Sequence, residues 1–200
     1  DARWHSVWDK KEGFRDEKTM KALKKEKKHE IEIWYALQYL FDLQLSELRA
    51  YVNSLGIKTI GDIPIFVGAD SADAWSHLEL LKTDEEGHYT AVSGVPPDGF
   101  SATGQLWGNP VYDWKRHVET DFEWWKKRIQ RLLKMTDVLR IDHFRGLDAY
   151  WEIPAHHKTA EHGKWKKSPG KKFFESIKKE MGELPIIAED LGTITQSVRD

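Results

Sequence analysis

Residues 138–146 read V-L-R-I-D-H-F-R-G, and this stretch decides how the rest of the sequence is interpreted. Its first four residues are mostly apolar and predict a short buried strand, which polar residues follow. Because side chains alternate across a strand, Arg140 and Asp142 fall on one face, where the guanidinium can hydrogen-bond the carboxylate and keep it ionised. Catalytic residues of parallel sheets gather at the carboxyl ends of strands. The pair is therefore either catalytic or a structural ion pair beneath a loop.

Three other segments carry helical patterns. Apolar residues recur at three- and four-residue steps over residues 31–55, which predicts an amphipathic helix closed by the glycine that follows. A capping box formed by Thr120 and Glu123 predicts the start of a second helix. The third pattern spans residues 171–181 and stops at a glycine, where a helix commonly ends.

Strands predicted at 57–60 and 185–188 place Asp62 and Glu189 where a strand gives way to a loop, as at Asp142. This order predicts an α/β fold, part of a (β/α)8 TIM barrel with long inserted loops, although a doubly wound sheet is not excluded. Carboxylates on neighbouring strands suit retaining sugar chemistry, whereas acids at strand ends also cap helices. We expect the mostly apolar strand before Glu189 to raise the pKa of that residue.

The composition argues against several classes of function. A net charge of −2 argues against a nucleic-acid partner, and no apolar run is long enough to span a membrane. The absence of cysteine excludes disulfides and thiolate metal sites and fits a cytoplasmic location. The 10 tryptophans, 6 tyrosines and 8 phenylalanines predict an aromatic core and, as the alternative, a sugar-binding cleft. Because the chain begins at Asp1 without a methionine, we interpret it as a fragment, which leaves targeting open.

Two long segments, residues 66–113 and 148–172, interrupt the helical and strand patterns. The first is predicted to be an inserted lobe or functional loop. Its second half places rings beside amide and carboxylate side chains, a combination that hydroxyl-rich ligands require. The residues concerned are Asp98, Phe100, Gln105, Trp107 and Asn109.

Several motifs occur in a fixed order along the chain. They are G-D-I-P-I-F-V (61–67), D-S-A-D-A-W (70–75), V-P-P-D-G-F-S-A-T-G-Q-L-W-G-N-P (95–110), L-R-I-D-H-F-R-G (139–146), A-Y-W-E-I-P-A (149–155) and I-I-A-E-D-L-G (186–192). Together they resemble the 4-α-glucanotransferase family (amylomaltase, or disproportionating enzyme), which belongs to the α-amylase group of retaining barrels. The resemblance runs from about Gln38 to Asp200.

The resemblance implies an enzyme that moves α-1,4-glucan segments between oligosaccharides without a metal or organic cofactor. By position, Asp142 resembles the family's nucleophile, Glu189 its acid/base and Arg140 the arginine that orients the nucleophile. Asp62 resembles an acid that supports the bound sugar. The positions similar to the family's glucan-binding loop and subsites are Asp98, Phe100, Gln105, Trp107, Asn109 and His143.

Two departures from the family pattern bear on these expectations. Gly99 stands where many members carry a tyrosine, and the family's third acid, an Asp in a His-Asp pair, would lie beyond Asp200. The 200-residue piece alone is therefore expected to be inactive. The alternatives are an α-glucan hydrolase with the same carboxylates and a non-catalytic α-glucan-binding fragment. His156, His157 and His162 are interpreted as exposed loop histidines rather than zinc ligands.

Overall fold

The computed structural model describes residues 4–191 and 194–199 as helices and strands around a small parallel sheet. The helices are α1 (Trp4–Val7), α2 (Lys10–Gly13), α3 (Glu17–Glu26), α4 (Lys28–Ser54), α5 (Ala72–Ser76), α6 (Trp114–Glu119), α7 (Glu123–Met135), α8 (Gly170–Met181) and α9 (Gln196–Arg199). The strands are β1 (Ile60–Ile63), β2 (Ala91–Val95), β3 (Gln105–Pro110), β4 (Val138–Ile141), β5 (Ala149–Pro154), β6 (Lys164–Lys167) and β7 (Ile186–Ala188).

The parallel sheet has the strand order β1–β4–β7, with β4 in the centre. Leu139 and Ile141 of β4 are fully buried, whereas Val138 and Arg140 on the other face are partly exposed. The predicted alternation is therefore confirmed. The strand predicted at 57–60 begins later than expected, at Ile60, so that Asp62 lies inside β1.

A second, antiparallel sheet is built from the two long segments that interrupt the pattern. Its strand order is β3–β2–β5–β6, so that the segment after β1 and the segment after β4 share one sheet through the β2–β5 pairing. Both segments leave the carboxyl ends of parallel strands. The sheet they form, the lobe sheet, therefore stands over the edge where Asp142 and Glu189 lie.

A large hydrophobic core joins the parallel sheet to the helices α7 and α8, which connect its strands, and to the lobe sheet. Trp125 of α7 packs edge-on against Phe173 of α8, with ring centroids 5.4 Å apart. Tyr112 and Tyr150 bring the lobe side into the same core through contacts with the Phe66 ring. These rings are buried, so core packing accounts for much of the aromatic content.

Helix α4 forms as predicted, but its apolar stripe does not enter this core. No residue of α4 is buried, and Trp34 is 65% exposed. Polar contacts hold the helix to α7 and to the link between α7 and β4 instead: Arg131 donates to Asp42, and Arg49 donates to Asp137. An amphipathic helix ordinarily buries its stripe, so α4 presents an unpaired apolar face in this chain.

The predicted capping box at Thr120 is wrong. Thr120 is the C-terminal cap of α6, a helix that the sequence pattern did not reveal, and its hydroxyl donates to the Arg116 carbonyl at 3.1 Å. Helix α7 begins at Glu123 after Phe122, which has a left-handed backbone and no side-chain cap. A threonine hydroxyl can bond back to the preceding turn as readily as forward, and here the backward bond forms.

Helix α8 confirms the third predicted helix and ends at Gly182, whose φ is +73°. Within the described ranges, no helix is long and apolar enough to cross a membrane. Gly192, the last residue of the motif at 186–192, lies outside the described residues, as do Asp1 and Asp200.

Candidate active site

The register of the parallel sheet brings side chains from three strands to one place. Asp62 of β1 lies beside Arg140 of β4, which lies beside Ile187 of β7. Since side chains alternate, Asp142 and Glu189 project from the same face just after their strands end. Backbone pairing continues that far, because the Asp142 amide donates to the Ile63 carbonyl at 3.0 Å. Three acids thus converge on one arginine.

The Arg140 guanidinium holds all three acids together. Its Nη1 donates to Asp62 Oδ1 at 2.6 Å, and its Nη2 donates both to Asp142 Oδ1 at 3.1 Å and to Glu189 Oε1 at 2.6 Å. Because one nitrogen contacts both, these two carboxylate oxygens lie no more than about 6 Å apart, close to the roughly 5–5.5 Å between carboxyl groups in retaining glycosidases. The acids that the sequence placed at three strand ends therefore meet.

The pKa directions of the pair are opposite to those expected from the sequence. Burial and the neighbouring Glu189 raise the pKa of Asp142, although Arg140 acts against them. Burial also favours a raised pKa for Glu189, but hydrogen bonds from the His143 amide, Asp142 and Arg140 together lower it below its usual value. Burial and the charge of Glu189 outweigh the expected effect of Arg140 on Asp142, and hydrogen bonds outweigh the expected effect of the apolar strand on Glu189.

His143 follows Asp142 in the chain and contacts Glu189 through its backbone. Its backbone is left-handed, with φ 48° and ψ 48°, and its amide donates to Glu189 Oε2 at 2.6 Å. Its ring packs edge-on against Trp107 of β3, with centroids 4.8 Å apart. Burial lowers the pKa of the His143 ring, which is therefore neutral at neutral pH.

Strand β3 brings part of the predicted ligand-binding loop to this cluster. Trp107, which contacts His143, is 37% exposed, and its Nε1 donates to Gln105 Oε1 at 3.1 Å. Asn109 donates to the Val67 carbonyl at 3.0 Å and so ties β3 to the segment after β1. Gln105, Trp107 and Asn109 thus form the wall beside His143.

Asp98 and Phe100 lie at the tip of the same loop, before β3 in the chain. Asp98 Oδ1 accepts from the amides of Phe100 and Ser101, both at 2.8 Å, and this bonding shapes the turn. The Phe100 side chain is fully exposed. None of the contacts within 4–191 and 194–199 joins these two residues to Arg140. A side chain at Gly99 would meet open space.

A further contact near the site involves Arg145, whose partner the sequence pattern did not reveal. Its guanidinium lies 3.8 Å from the ring centroid of Trp165 on β6, and Trp165 in turn packs edge-on against Trp151. The stretch after Asp142 is therefore fixed to the lobe sheet. Trp165 lies in a lysine-rich segment that reads as a solvated loop, so only the pairing of β6 with β5 could have located it.

No group of three or more His or acidic side chains in the described part of the chain could hold a metal ion. His156, His157 and His162 do contact one another through their rings, with centroids 4.4 and 4.9 Å apart. These contacts do not amount to a ligand set.

Comparison with known proteins identifies similar sequences and a similar solved structure. The chain is 47% identical over 194 residues to a 4-alpha-glucanotransferase of Clostridium butyricum, covering 96% of this chain and 40% of the relative. It is 48% identical over 199 residues to a 4-alpha-glucanotransferase of a Synechocystis species, covering 98% of this chain and 39% of the relative. The chain therefore spans about two fifths of the length of these relatives.

The solved structure of an amylomaltase from Streptococcus agalactiae in complex with acarbose matches with a TM-score of 0.93 at 44% identity, over 98% of this chain and 40% of that one. The predicted fold class, part of a (β/α)8 barrel, is thereby confirmed. The family model described as 4-alpha-glucanotransferase matches residues 1–200. By these matches and by the cluster around Arg140, the chain belongs to the 4-alpha-glucanotransferase family.

Proposed function

We propose that the protein transfers α-1,4-glucan segments between oligosaccharides by retaining double displacement. The observation that carries the proposal is the single Arg140 nitrogen that contacts both Asp142 and Glu189. Two carboxyl groups at this separation can flank one glucose ring, one below the anomeric carbon and one beside the leaving oxygen. Family membership supports the same chemistry.

In the first step, Asp142 attacks the anomeric carbon while Glu189 protonates the glycosidic oxygen, so that the C–O bond breaks and a glycosyl ester forms. In the second step, a hydroxyl of the acceptor glucan attacks the same carbon. Glu189 takes the proton of that hydroxyl, and the ester bond to Asp142 breaks. Arg140 orients Asp142, and Asp62 supports the bound sugar in this scheme.

Substrate binding would move the pKa of each acid toward its role. The chemistry needs a charged Asp142 and a protonated Glu189, whereas the hydrogen bond between the two carboxyl groups raises the pKa of Asp142 and lowers that of Glu189. A glucose ring inserted between them would replace this bond. Its loss lowers the pKa of Asp142 and raises the pKa of Glu189, as the first step requires.

The remaining predicted site residues are assigned to glucan binding. Trp107 and His143 form an apolar edge on which a sugar face can pack, and the wall they form would keep water from the glycosyl ester. The residues assigned with them are Asp98, Phe100, Gln105 and Asn109. We propose α-1,4-glucan oligosaccharides as donor and acceptor, no cofactor or metal, and a cytoplasmic location, which a cysteine-free sequence suits.

Incubation of the full-length protein with maltotriose tests the proposal. Transfer produces free glucose together with longer chains, and NMR of early products shows retention at the anomeric carbon. A steady fall to short sugars without longer products would instead show a hydrolase. Binding without any turnover would show a glucan-binding module.

Two variants identify the residues responsible. Asp142→Asn and Glu189→Gln keep shape and remove the nucleophile or the acid, and each is expected to lower kcat by at least about 10²-fold. Glu85→Gln makes the same chemical change at an exposed carboxylate and serves as the control. Retention of near-normal kcat by Asp142→Asn would contradict the proposed roles.

A further inference from the structure

We propose that His143 is a positioning residue for Glu189, and that it acts through its backbone amide rather than through its imidazole ring. The inference rests on the proposed function only in naming Glu189 the acid/base. In the geometry, the His143 amide and the Arg140 guanidinium grip the two oxygens of one carboxylate: the amide binds Oε2 and the guanidinium binds Oε1, each at 2.6 Å. Two donors on different oxygens fix both the position and the rotation of the carboxylate.

Strand alternation points the His143 amide toward β7, and the left-handed backbone of His143 reverses the chain immediately after that amide. Strand pairing extends to Asp142, whose amide donates to Ile63, and to Glu189, whose amide donates to the Ile141 carbonyl at 3.1 Å. One residue later the φ of 48° at His143 reverses the chain, and the His143 amide, which faces β7 as the Leu139 amide does, donates to the Glu189 side chain. Positive φ is uncommon for any residue other than glycine, although asparagine, aspartate and histidine adopt it more often than the rest, so the surroundings of His143 must help to hold it.

Those surroundings are visible around the ring and the carbonyl. The Trp107 edge packs against the His143 ring, and the Gly146 amide donates to the His143 carbonyl at 2.8 Å. The Nε2 atom of His143 is buried and makes no hydrogen bond within the described residues. The ring therefore serves as packing that fixes the backbone, while the amide makes the polar contact.

Among the described residues, the charged groups that face Glu189 come from Arg140 and two acids. Arg140 and Asp142 contact its carboxylate, and Asp62 reaches it through Arg140. The His143 ring is neutral when buried. A substitution at position 143 that changes only the backbone conformation leaves all three charged neighbours in place.

A substitution series at position 143 separates the two roles of the residue. His143→Asn and His143→Gly both lack the imidazole but accept a left-handed backbone, so the amide keeps its bond to Glu189. His143→Val also lacks the imidazole, and its β-branched side chain strongly resists positive φ. His143→Ala, which resists it less, replaces His143→Val if the valine variant fails to fold.

The measurement is the titration of the Glu189 carboxyl carbon by NMR in full-length protein, with the signal assigned by its loss in Glu189→Gln. Loss of the amide bond raises the pKa of Glu189, and we expect its proton affinity to be roughly tenfold higher in His143→Val than in His143→Asn and His143→Gly. The basic limb of the kcat/KM profile should move in the same direction.

The proposal would be overturned if the pKa of Glu189 were the same in all the variants and in the unchanged protein. An equal rise of the Glu189 pKa in His143→Asn, His143→Gly and His143→Val would overturn it too, because the three variants share only the loss of the ring. The titration does not depend on turnover. Failure to disproportionate maltotriose would therefore refute the proposed function and leave the test of His143 intact.

Discussion

At each end of the parallel sheet, one charged side chain makes several hydrogen bonds to groups from different elements. At the carboxyl end, Arg140 donates to three acids. At the amino end, the Asp137 carboxylate accepts from the Thr59 amide, the Asn53 amide group and the Arg49 guanidinium. At the carboxyl end the acids outnumber the cation, and the pKa of Asp142 is raised while the pKa of Glu189 is lowered. At the amino end the donors outnumber the acid, and the pKa of Asp137 is lowered.

Asp137→Asn is expected to destabilise the protein in a pH-dependent way. Hydrogen bonds from Thr59, Asn53 and Arg49 hold the pKa of Asp137 far below its usual range. Because the folded pKa lies below the unfolded value of about 3.9, the charged form stabilises the fold above about pH 4. This contribution is lost as the pH falls toward the folded pKa.

Thermal unfolding from pH 3 to pH 7 measures the effect. The midpoint of Asp137→Asn should lie several degrees below that of the unchanged protein at pH 7, and the gap should narrow below about pH 4. The exposed Glu85→Gln should show no such gap. A gap of the same size at pH 3 and pH 7 would contradict the argument.

At the scale of elements, the lobe sheet depends on a close approach between β2 and β3. Gly94 of β2 lies where an added Cβ atom would sit 2.2 Å from the Gln105 carbonyl oxygen and 2.7 Å from Ile153. Any side chain there must push apart the strands that carry Trp107 and Trp151. The glycine is thus required by the packing of three strands on one residue.

Gly94→Ala is expected to lower the free energy of unfolding by about 1–3 kcal/mol, the usual cost of overpacking. It should also weaken the proposed glucan binding, because β3 carries Trp107, which contacts His143. Gly99→Ala is the matched control, since nothing lies within 4 Å of its added Cβ. Denaturant unfolding of both variants measures the difference. Equal stability of the two would show that β2 and β3 can separate without cost.

The elements also show how far sequence patterns reach. Local patterns located α4, β4 and α8, because hydrophobic periodicity is set within a few turns or residues. They failed at Thr120, where a hydroxyl had two competing backbone partners. They could not reveal that β2 pairs with β5, about 60 residues away, because that pairing depends on the whole topology.

In the site, sequence patterns likewise predicted some features and missed others. Alternation and strand ends predicted that Asp142 and Glu189 converge on one face with Arg140. The sharing of hydrogen bonds among them depends on the His143 backbone, and a left-handed histidine has no sequence signature. The pKa directions were therefore beyond the reach of the pattern.

For the molecule as a whole, the unpaired face of α4 and the open sheet edges are the main features. Trp34, Tyr35 and Leu37 are each about half or more exposed. The strands β1 and β7 each pair on one side only within the described residues. Exposed apolar patches and unpaired edges are surfaces on which proteins associate.

The 200-residue chain, expressed alone, is therefore expected to self-associate and to show no transfer from maltotriose. Sedimentation velocity over a range of micromolar concentrations measures the association. Trp34→Gln combined with Tyr35→Ser should reduce it without changing the core. A monomer with measurable turnover would show that the chain needs nothing more to cover α4 or to complete its site.

The sharing of the lobe sheet between two insertions has a consequence for how such sequences diverge. A deletion within either paired segment would also remove hydrogen bonds from the other insertion. Changes in the length of one paired strand therefore require matching changes in the other. Only the tips, such as the turn around Phe100, can lengthen or shorten independently. We therefore expect related sequences to differ in length at these tips and to keep the β2–β5 pairing.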